Sequence, residues 1–478
     1  MGSSIALMSK LFSQRWPWIA AASVVLLLWG STFVDVQLGD ADPRPLGSLE
    51  DATALLESAD VNVLFILIDT LRADHLGAYG YERETSPVLD LLASRGVRFA
   101  NHIAQSSWTK TSMASLWTGM WPGRTGVLRF EHVLSAGATM PAEILSEAGF
   151  RTTSIYRNGW VAPYFGFGQG FDFYERPGAR PVPPSVRITN PTIQKFATDL
   201  DTIDAAIEFL RSYGSERFFL SLHLMDVHEY IYDDDHAVFG SEYVDVYDNA
   251  ILRLNSVLDR FLAQLAESGR LENTVIAIAS DHGEAFGERG LEGHGRFVYR
   301  ETTEVPFILS FPFRLEPGVV VDVRTRNIDI WPTLLDLLGL PPMNGVDGQS
   351  LVPEILAAAA GEQPQAPGRL GLAHLDRNWG QRDERPVPTV ALTEGPLRYV
   401  YTPEPGGTGR ATERLFDRSL DPRELVNRAA ELPEDLERLR QRARAYLQDS
   451  KTAWPEAESL EIDEMQLNQL RALGYQIP

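Results

Sequence analysis

No cysteine occurs among the 478 residues. Disulfides, thiolate metal sites and a cysteine nucleophile are therefore excluded. The absence also fits an oxidising compartment, where stray thiols are a liability. Basic residues are in short supply: 43 Lys and Arg against 65 Asp and Glu give a net charge of −22. A general nucleic-acid binder needs a basic surface, so nucleic acid is excluded as a partner. No repeat of fixed period runs along the chain. What is present is material for a packed core, with 44% hydrophobic and 23% charged residues. The length suits a large domain plus a smaller one, or two to three ordinary domains.

The segment Trp16 to Val34, WPWIAAASVVLLLWGSTFV, has 19 residues and no charge. As a helix it would span roughly 28 Å, about the hydrocarbon thickness of a bilayer. Trp16, Trp18 and Trp29 suit the interfaces, and Pro17 suits a first helical turn. Lys10 and Arg15 precede the run, while Asp35, Asp40 and Asp42 follow it. The positive-inside rule then predicts a cytoplasmic N-terminus at 1–15, a transmembrane anchor at 16–34, and an extracytoplasmic remainder, periplasmic or extracellular. A cleaved signal peptide is the competing reading, but no clear small-x-small site follows the apolar run.

Residues 35–60 read as a polar linker. Next comes VNVLFILID, Val61 to Asp69, a continuous apolar run ending at a carboxylate, which predicts a buried parallel strand. The pattern returns in RFFLSLHLMDVH (217–228) and TVIAIASDHGE (274–284), and RTTSIYRN ends at Asn158. Helix patterns lie between them, in SPVLDLLASRG and YDNAILRLNSVLDRFLAQLAESG, each with a glycine stop. Strands alternating with helices predict a doubly wound α/β sheet, with functional groups beyond the carboxyl ends of the strands. Asp69, Asn158, His228, Asp281 and His282 would gather there. Residues 356–388, rich in Ala, Gly, Pro, Gln and Arg, read as a linker or insertion. In the final segment, 389–478, Leu432, Leu436, Leu439, Ala443 and Leu447 define one apolar helix face that should pack on the main domain.

Asp69 with Asp281 and His282 offers two carboxylates and an imidazole, a set suited to a divalent cation that accepts mixed ligands. The bland alternative is that a carboxylate after a strand caps the next helix. Gly283 in the DHG triplet permits close backbone approach. Thr109 precedes the helix pattern TSMASLWTG, where a helix N-terminus would stabilise a developing alkoxide and a bound metal would lower the hydroxyl pKa further. A plain N-cap is the competing role. Lys110 could hold an anionic ester or simply be solvated.

Together these motifs resemble the sulfatase family within the alkaline-phosphatase-like superfamily. The resemblance rests on NVLFILIDTLRADHLGAYGY, SSWTKTSMASLWTGMWPGRTGV, GQGFDFYE, LHLMDVHEY, ASDHGEAFGERGLEGHGRFVYRETTEVPFIL, NIDIWPTLLDLLGLP, LFDRSLDPRELVN and the closing LNQLRALGY, in that order. It implies an alkaline-phosphatase/sulfatase-like mixed α/β sheet flanked by helices over 61–355, a small C-terminal α+β subdomain, and a metal beside a hydroxyl-type nucleophile. Carried over by position, Asp69, Asp281 and His282 would be metal ligands and Thr109 the nucleophile, its oxygen also on the metal. His228 and His294 would be substrate-side or acid/base histidines, and Lys110, Arg296 and Asn158 would contact substrate. A second metal on Asp226, His228 and His294 is the less expected variant, since Asp226 and His228 lie two residues apart.

The sequence also departs from the family. The usual second Asp of the first motif is Thr70. The nucleophile window of formylglycine sulfatases, C/S-x-P/A-x-R, reads Thr109-Lys110-Thr111-Ser112-Met113, so no formylglycine is expected. The expected activity is hydrolysis of a phosphate or sulfate ester through a metal-bound threonine, with phosphorus favoured. The alternatives are an inactive ligand-binding relative and a phosphoethanolamine- or glycerophosphate-type transferase. The cofactor would be one divalent cation: Ca, Mg, Mn or Zn. The substrate would be a small-molecule or envelope-component ester, with specificity placed in loops 159–200 and 229–245.

Overall fold

The computed structural model describes residues 42–48, 50–51, 61–178, 197–362, 368–403, 411–449, 451–455 and 459–460. The anchor expected at 16–34 and the closing LNQLRALGY lie outside them. Among the described residues, no helix is long and apolar enough to cross a membrane. The described structure falls almost wholly in one compact unit, Arg44–Pro478.

In chain order the strands are β1 (Asn62–Ile68), β2 (Val97–Ile103), β3 (Arg151–Ile155), β4 (Phe173–Glu175), β5 (Phe218–Leu224), β6 (Thr274–Ala279), β7 (Ala285–Phe286), β8 (Glu292–Gly293), β9 (Phe307–Ser310) and β10 (Val319–Arg326). The C-terminal sheet adds β11 (Gly371–Asp376), β12 (Pro388–Glu394), β13 (Leu397–Thr402) and β14 (Thr412–Asp417). The main sheet has eight strands in the order β10-β2-β9-β6-β1-β5-β3-β4. β1 pairs in parallel with both β5 and β6, whereas β9 runs antiparallel to β6 and β2, so the sheet is mixed as the resemblance implied. The four expected strands near 61, 151, 217 and 274 all form.

The helices that matter below are α1 (Pro87–Ser94), α2 (Thr109–Thr118), α3 (Asp199–Tyr213), α4 (Tyr243–Glu267), α5 (Ile330–Leu337) and α6 (Pro433–Asp449). They explain why β1 reads as an unbroken apolar run. Val63, Phe65 and Leu67 face a core shared with α2 and α5, while Leu64, Ile66 and Ile68 face a second core shared with α1, α3 and α4. A strand covered on both faces has no polar side to show. Phe65, Trp117, Phe219 and Trp331 interlock in the first core, with Trp117 and Trp331 stacked 5.1 Å apart.

Part of the stretch expected to be a linker is structural. Gly371–Asp376 forms β11, the edge of the four-stranded antiparallel sheet. Composition concealed it because β11 is short and follows an Ala- and Pro-rich segment. That sheet is covered on both faces: Ala373, Leu375, Ala391, Val400 and Phe416 join the main core, while Leu372, Val390, Leu392, Tyr399 and Leu415 pack with Leu439 and Ala443 of α6. The C-terminal helix therefore buries its apolar face, but against the four-stranded sheet rather than on the main domain as expected. Arg398 on β13 fastens the sheet further, donating to Val298 O and Thr303 Oγ1, both at 2.7 Å.

Two buried histidines make this packing pH-sensitive. His102 on β2 bonds Thr325 Oγ1 and Asn327 Oδ1, and His374 on β11 bonds the Tyr446 hydroxyl of α6. Burial lowers each to about 4. Both are neutral in the fold, while the unfolded chain takes up their protons below about pH 6.5. Stability is thus complete above that pH and is lost as pH falls toward 4. Thermal unfolding followed from pH 7 to 4.5 should show a falling midpoint, with a shallower fall in His374→Gln. An identical slope in that variant would contradict the assignment.

Candidate active site

Strand register creates the site. Leu67 pairs with Ala279, so continuing β1 and β6 by two residues brings Asp69 beside Asp281. Asp69, Asp281 and His282 are fully buried, and one ligand atom from each lies within 4.8 Å of the others. A Cβ on Gly283 would sit 2.3 Å from Glu301 O, so the turn after His282 requires glycine.

Each carboxylate is held by one oxygen and bare at the other. Asp69 Oδ2 accepts from Asn158 Nδ2 at 2.8 Å and bonds His223 Nε2 at 3.0 Å, leaving Oδ1 without a hydrogen-bond partner. Asp281 Oδ1 accepts from the His282 and Thr70 backbone N–H groups at 3.0 and 3.4 Å, leaving Oδ2 without one. The bare oxygens lie 3.9 Å (Asp69) and 3.4 Å (Asp281) from His282 Nε2. The His282 ring donates from Nδ1 to Gly283 O at 3.0 Å, which leaves the lone pair on Nε2. Burial, reinforced by His294, lowers His282 to about 3, so it is neutral.

Thr109 completes the cluster. It is the first residue of α2, and the N-cap position belongs to Trp108, so Thr109 does not act as a cap. Its Oγ1 lies 3.1 Å from His282 Nε2 and accepts from Asn158 Nδ2 at 3.4 Å. The Asn158 amide is oriented by its other end, since Oδ1 accepts from Trp160 N at 2.9 Å. The amide face therefore points at Asp69 and Thr109 together. The loop before α2 is tied to the loop after His294 by Gly295 N donating to Ser107 O at 2.7 Å.

Two unpartnered carboxylate oxygens beside a neutral imidazole lone pair and a hydroxyl form a donor set that fits a divalent cation. The electrostatics agree. Burial alone would raise Asp69, yet the His228 ring and the hydrogen bond with His223 hold it well below the carboxylate range. Burial and the neighbouring Asp69 push Asp281 well above it. Two carboxylates this close and this dry cannot both stay ionised without a positive partner.

Outside this group lie His228 and His294, whose ring centroids are 5.1 Å apart, with His294 4.6 Å from His282. His294 Nδ1 lies 3.0 Å from Glu284 Oε2. Burial would lower His294, but the Glu284 carboxylate holds it above its ordinary value. His228, Glu284, His294 and Arg296 line a cavity of about 720 Å³, together with Trp108, Tyr230, Tyr243, Arg377 and Trp379.

Two expectations need correction. Lys110 does not reach the site. It is fully buried, donates from Nζ to Phe130 O at 2.5 Å, and rests 3.2 Å from the Phe165 ring centroid. One residue along a helix turns the side chain about 100°, so Lys110 faces the core when Thr109 faces His282 and Asn158. Burial drives its pKa well down, which suits packing rather than anion binding. The second-metal variant also fails at Asp226. Its Oδ1 accepts from Arg157 at 2.6 Å and from Asp199 N at 3.0 Å, and its Oδ2 accepts from Arg253. Residues missed from sequence are His223, Glu284, Arg377 and Trp379. A histidine inside the apolar run LSLHL was a usable signal for the first.

A sequence profile of the family described as Sulfatase matches residues 61–340. The chain belongs to the sulfatase family. The arylsulfatase of Hemicentrotus pulcherrimus is 25% identical over 346 residues, which cover 63% of this chain and 62% of that protein. The Delta 4,5-hexuronate-2-O-sulfatase of Bacteroides thetaiotaomicron is 23% identical over 427 residues, covering 77% and 84%. Among solved structures, a 2-O GAG sulfatase superposes with a TM-score of 0.66 at 21% identity, over 82% of this chain and 92% of that one. The phosphonate monoester hydrolase of Agrobacterium radiobacter gives 0.63 at 20% identity, over 85% and 98%. At these identities the structural likeness speaks for the fold. Within this sulfatase-family fold, Asp69, Asp281 and His282 are the described residues grouped so as to hold a metal ion.

If a cation balances the two acids, its removal must destabilise the protein. An ion at a hundred times its Kd contributes about 2.7 kcal/mol. EDTA should lower the melting temperature of the unsubstituted protein, and excess divalent metal should restore it. Asp281→Asn should melt at the same temperature with and without EDTA. A chelator-insensitive melt of the unsubstituted protein would contradict the metal assignment.

Proposed function

We propose that this protein hydrolyses an ester of a tetrahedral oxyacid, phosphate before sulfate, through the Thr109 hydroxyl and without formylglycine. The observation that carries the reading is the convergence of Thr109 Oγ1 on His282 and Asn158 beside the bare oxygens of Asp69 and Asp281. A divalent cation held by Asp69, Asp281, His282 and the Thr109 oxygen would supply positive charge to acidify the hydroxyl and neutralise the ester. Asn158, donating to Thr109 Oγ1, and the N-terminal end of α2 both favour the alkoxide.

Thr109 Oγ1, its proton released to solvent, forms a bond to phosphorus as the bond to the leaving oxygen breaks. His294 gives that oxygen its proton, and Glu284 on Nδ1 fixes the ring with Nε2 as the remaining nitrogen. Water then attacks phosphorus and gives a proton to His294, and Thr109 departs as the alkoxide and takes back from solvent the proton it released in the first step. His228, beside His294 on the same cavity, orients the leaving group. The preference for phosphorus is chemical. Formylglycine hydrate sheds sulfate by elimination from a hemiacetal, and a threonine sulfate has no such route. A threonine phosphate is open to attack at phosphorus. With the expected anchor at 16–34, the site would face the extracytoplasmic space, and its substrate would be an envelope component or a soluble ester there.

Thr70 favours a second reading, a ligand-binding relative without turnover. It stands where the family's second acid is expected and brings no carboxylate. Its backbone is held at φ 61°, with Oγ1 donating to Asp69 O at 2.7 Å. A transferase remains chemically equivalent up to the second step, with an alcohol replacing water.

One set of assays separates these readings: aryl phosphate, phosphodiester, phosphonate and sulfate turnover by metal-loaded protein. Thr109→Ala should lower turnover by about 10³-fold or more while metal content and melting are retained. Acid-quenched protein should carry a phosphoryl group on the peptide containing Thr109. Unchanged turnover in Thr109→Ala would overturn the nucleophile, and a preference for sulfate over the matched phosphate would overturn the choice of phosphorus.

A further inference from the structure

The 720 Å³ cavity over the histidines is not the end of the accessible space. A second cavity of about 540 Å³ shares Glu292, Arg296 and Arg377 with it, and is further lined by Arg289 and Arg414. The three shared residues therefore mark where the two spaces meet. His228, Glu284 and His294 line the first cavity and not the second. Arg296 and Arg377 are thus on the side of the site that opens away from the reacting group.

Both guanidiniums are exposed, and among the described residues neither has an ion-pair or hydrogen-bond partner for its side chain. The arginines around them are committed elsewhere. Arg289 is paired with Glu301 and Glu424, and Arg414 lies 5.6 Å over the Tyr299 ring. Glu292 is the nearby carboxylate of the shared wall, and it is not within ion-pair distance of either free arginine.

The loop that carries Arg377 is built rather than loose. Asp376 Oδ1 accepts from Asn378 N at 3.0 Å and Val387 N at 2.8 Å, closing the loop at its base. Arg129 donates to the Asn378, Gln381 and Glu384 carbonyls. Trp379 stacks on Trp108 at 4.3 Å and donates from Nε1 to Gly295 O at 2.8 Å. Trp108 immediately precedes Thr109, so the loop's position is tied to the nucleophile's. A guanidinium whose backbone is fixed loses less freedom on binding an oxyanion.

We infer that Arg296 and Arg377 form a second anion subsite, and that the substrate is an organic ester bearing another oxyanion, carboxylate or sulfate, beyond the reacting group. The inference rests on the hydrolytic reading of the site. The space between the two anions is lined by Trp379, Tyr230 and Tyr243, which suits a flat ring. The combined site takes an extended polyanion in preference to a compact monoester. Carboxylate and sulfate share the chemistry that arginine recognises.

The test uses binding as well as turnover. The probes are phenyl phosphate and two relatives that carry a carboxylate or a sulfonate on the far side of a linked ring. Calorimetric titration into metal-loaded Thr109→Ala should show the charged probes binding about five- to tenfold more tightly than phenyl phosphate, with the advantage shrinking at high salt. Arg377→Ala placed in that background should bring the ratio close to one, and Arg377→Lys should keep part of it. In the active protein the same ratio should appear in KM rather than kcat. The stronger of the two charged probes identifies the preferred oxyanion. An unchanged ratio in Arg377→Ala would overturn the subsite while leaving the hydrolytic reading intact. Failure of phenyl phosphate itself to bind or turn over would overturn both.

Discussion

Two acids held face to face in the dry interior govern this molecule. Asp69 and Asp281 end neighbouring parallel strands, and the register of β1 on β6 leaves them no way to separate. Each is anchored through one oxygen: by Asn158 and His223 for Asp69, and by the Thr70 and His282 amides for Asp281. The remaining oxygens have no partner. A protein that leaves buried charge unpaired bears several kcal/mol against its stability unless something balances it. The fold places a neutral imidazole and a threonine hydroxyl at that point, and the proposed divalent cation would resolve the conflict.

The arrangement divides labour between rigid and adaptable parts. The acids, Asn158 and His282 come from strand ends, and Thr109 opens a helix whose ten residues are all buried. His294 and the arginine-bearing loop lie further out, fastened to the core through Ser107, Asp376 and Arg129. On the proposed reading the sheet sets the reacting end, while the C-terminal sheet and its loops would select the substrate. This is the usual allocation in α/β folds, where the scaffold fixes chemistry and the loops tune recognition.

Much of the candidate site was legible in the sequence because strands covered on both faces are long apolar runs, and their ends can be counted. Asp69, Asn158, Asp281 and His282 were visible for that reason. Lys110 misled because adjacency in sequence is not adjacency on a helix, and one step turned it into the core beside Phe165. Asp226 misled because its partners, Arg157 and Arg253, are distant in sequence. Specificity was expected in loops 159–200 and 229–245. Tyr230 and Tyr243 line the cavity beside His294, but so do Arg377 and Trp379, from a stretch whose composition suggested a linker. Strand β11, which carries that loop, is defined by pairing with β12 and not by any periodicity of its own.

The central claim is that a single cation joins Asp69, Asp281, His282 and the Thr109 hydroxyl. Anomalous diffraction from crystals grown with Mn²⁺ tests it most directly. The account predicts one strong peak with Asp69 Oδ1, Asp281 Oδ2, His282 Nε2 and Thr109 Oγ1 all at coordination distance, about 2.0–2.4 Å. A peak that excludes the threonine oxygen, or that lies away from the paired acids, would contradict it.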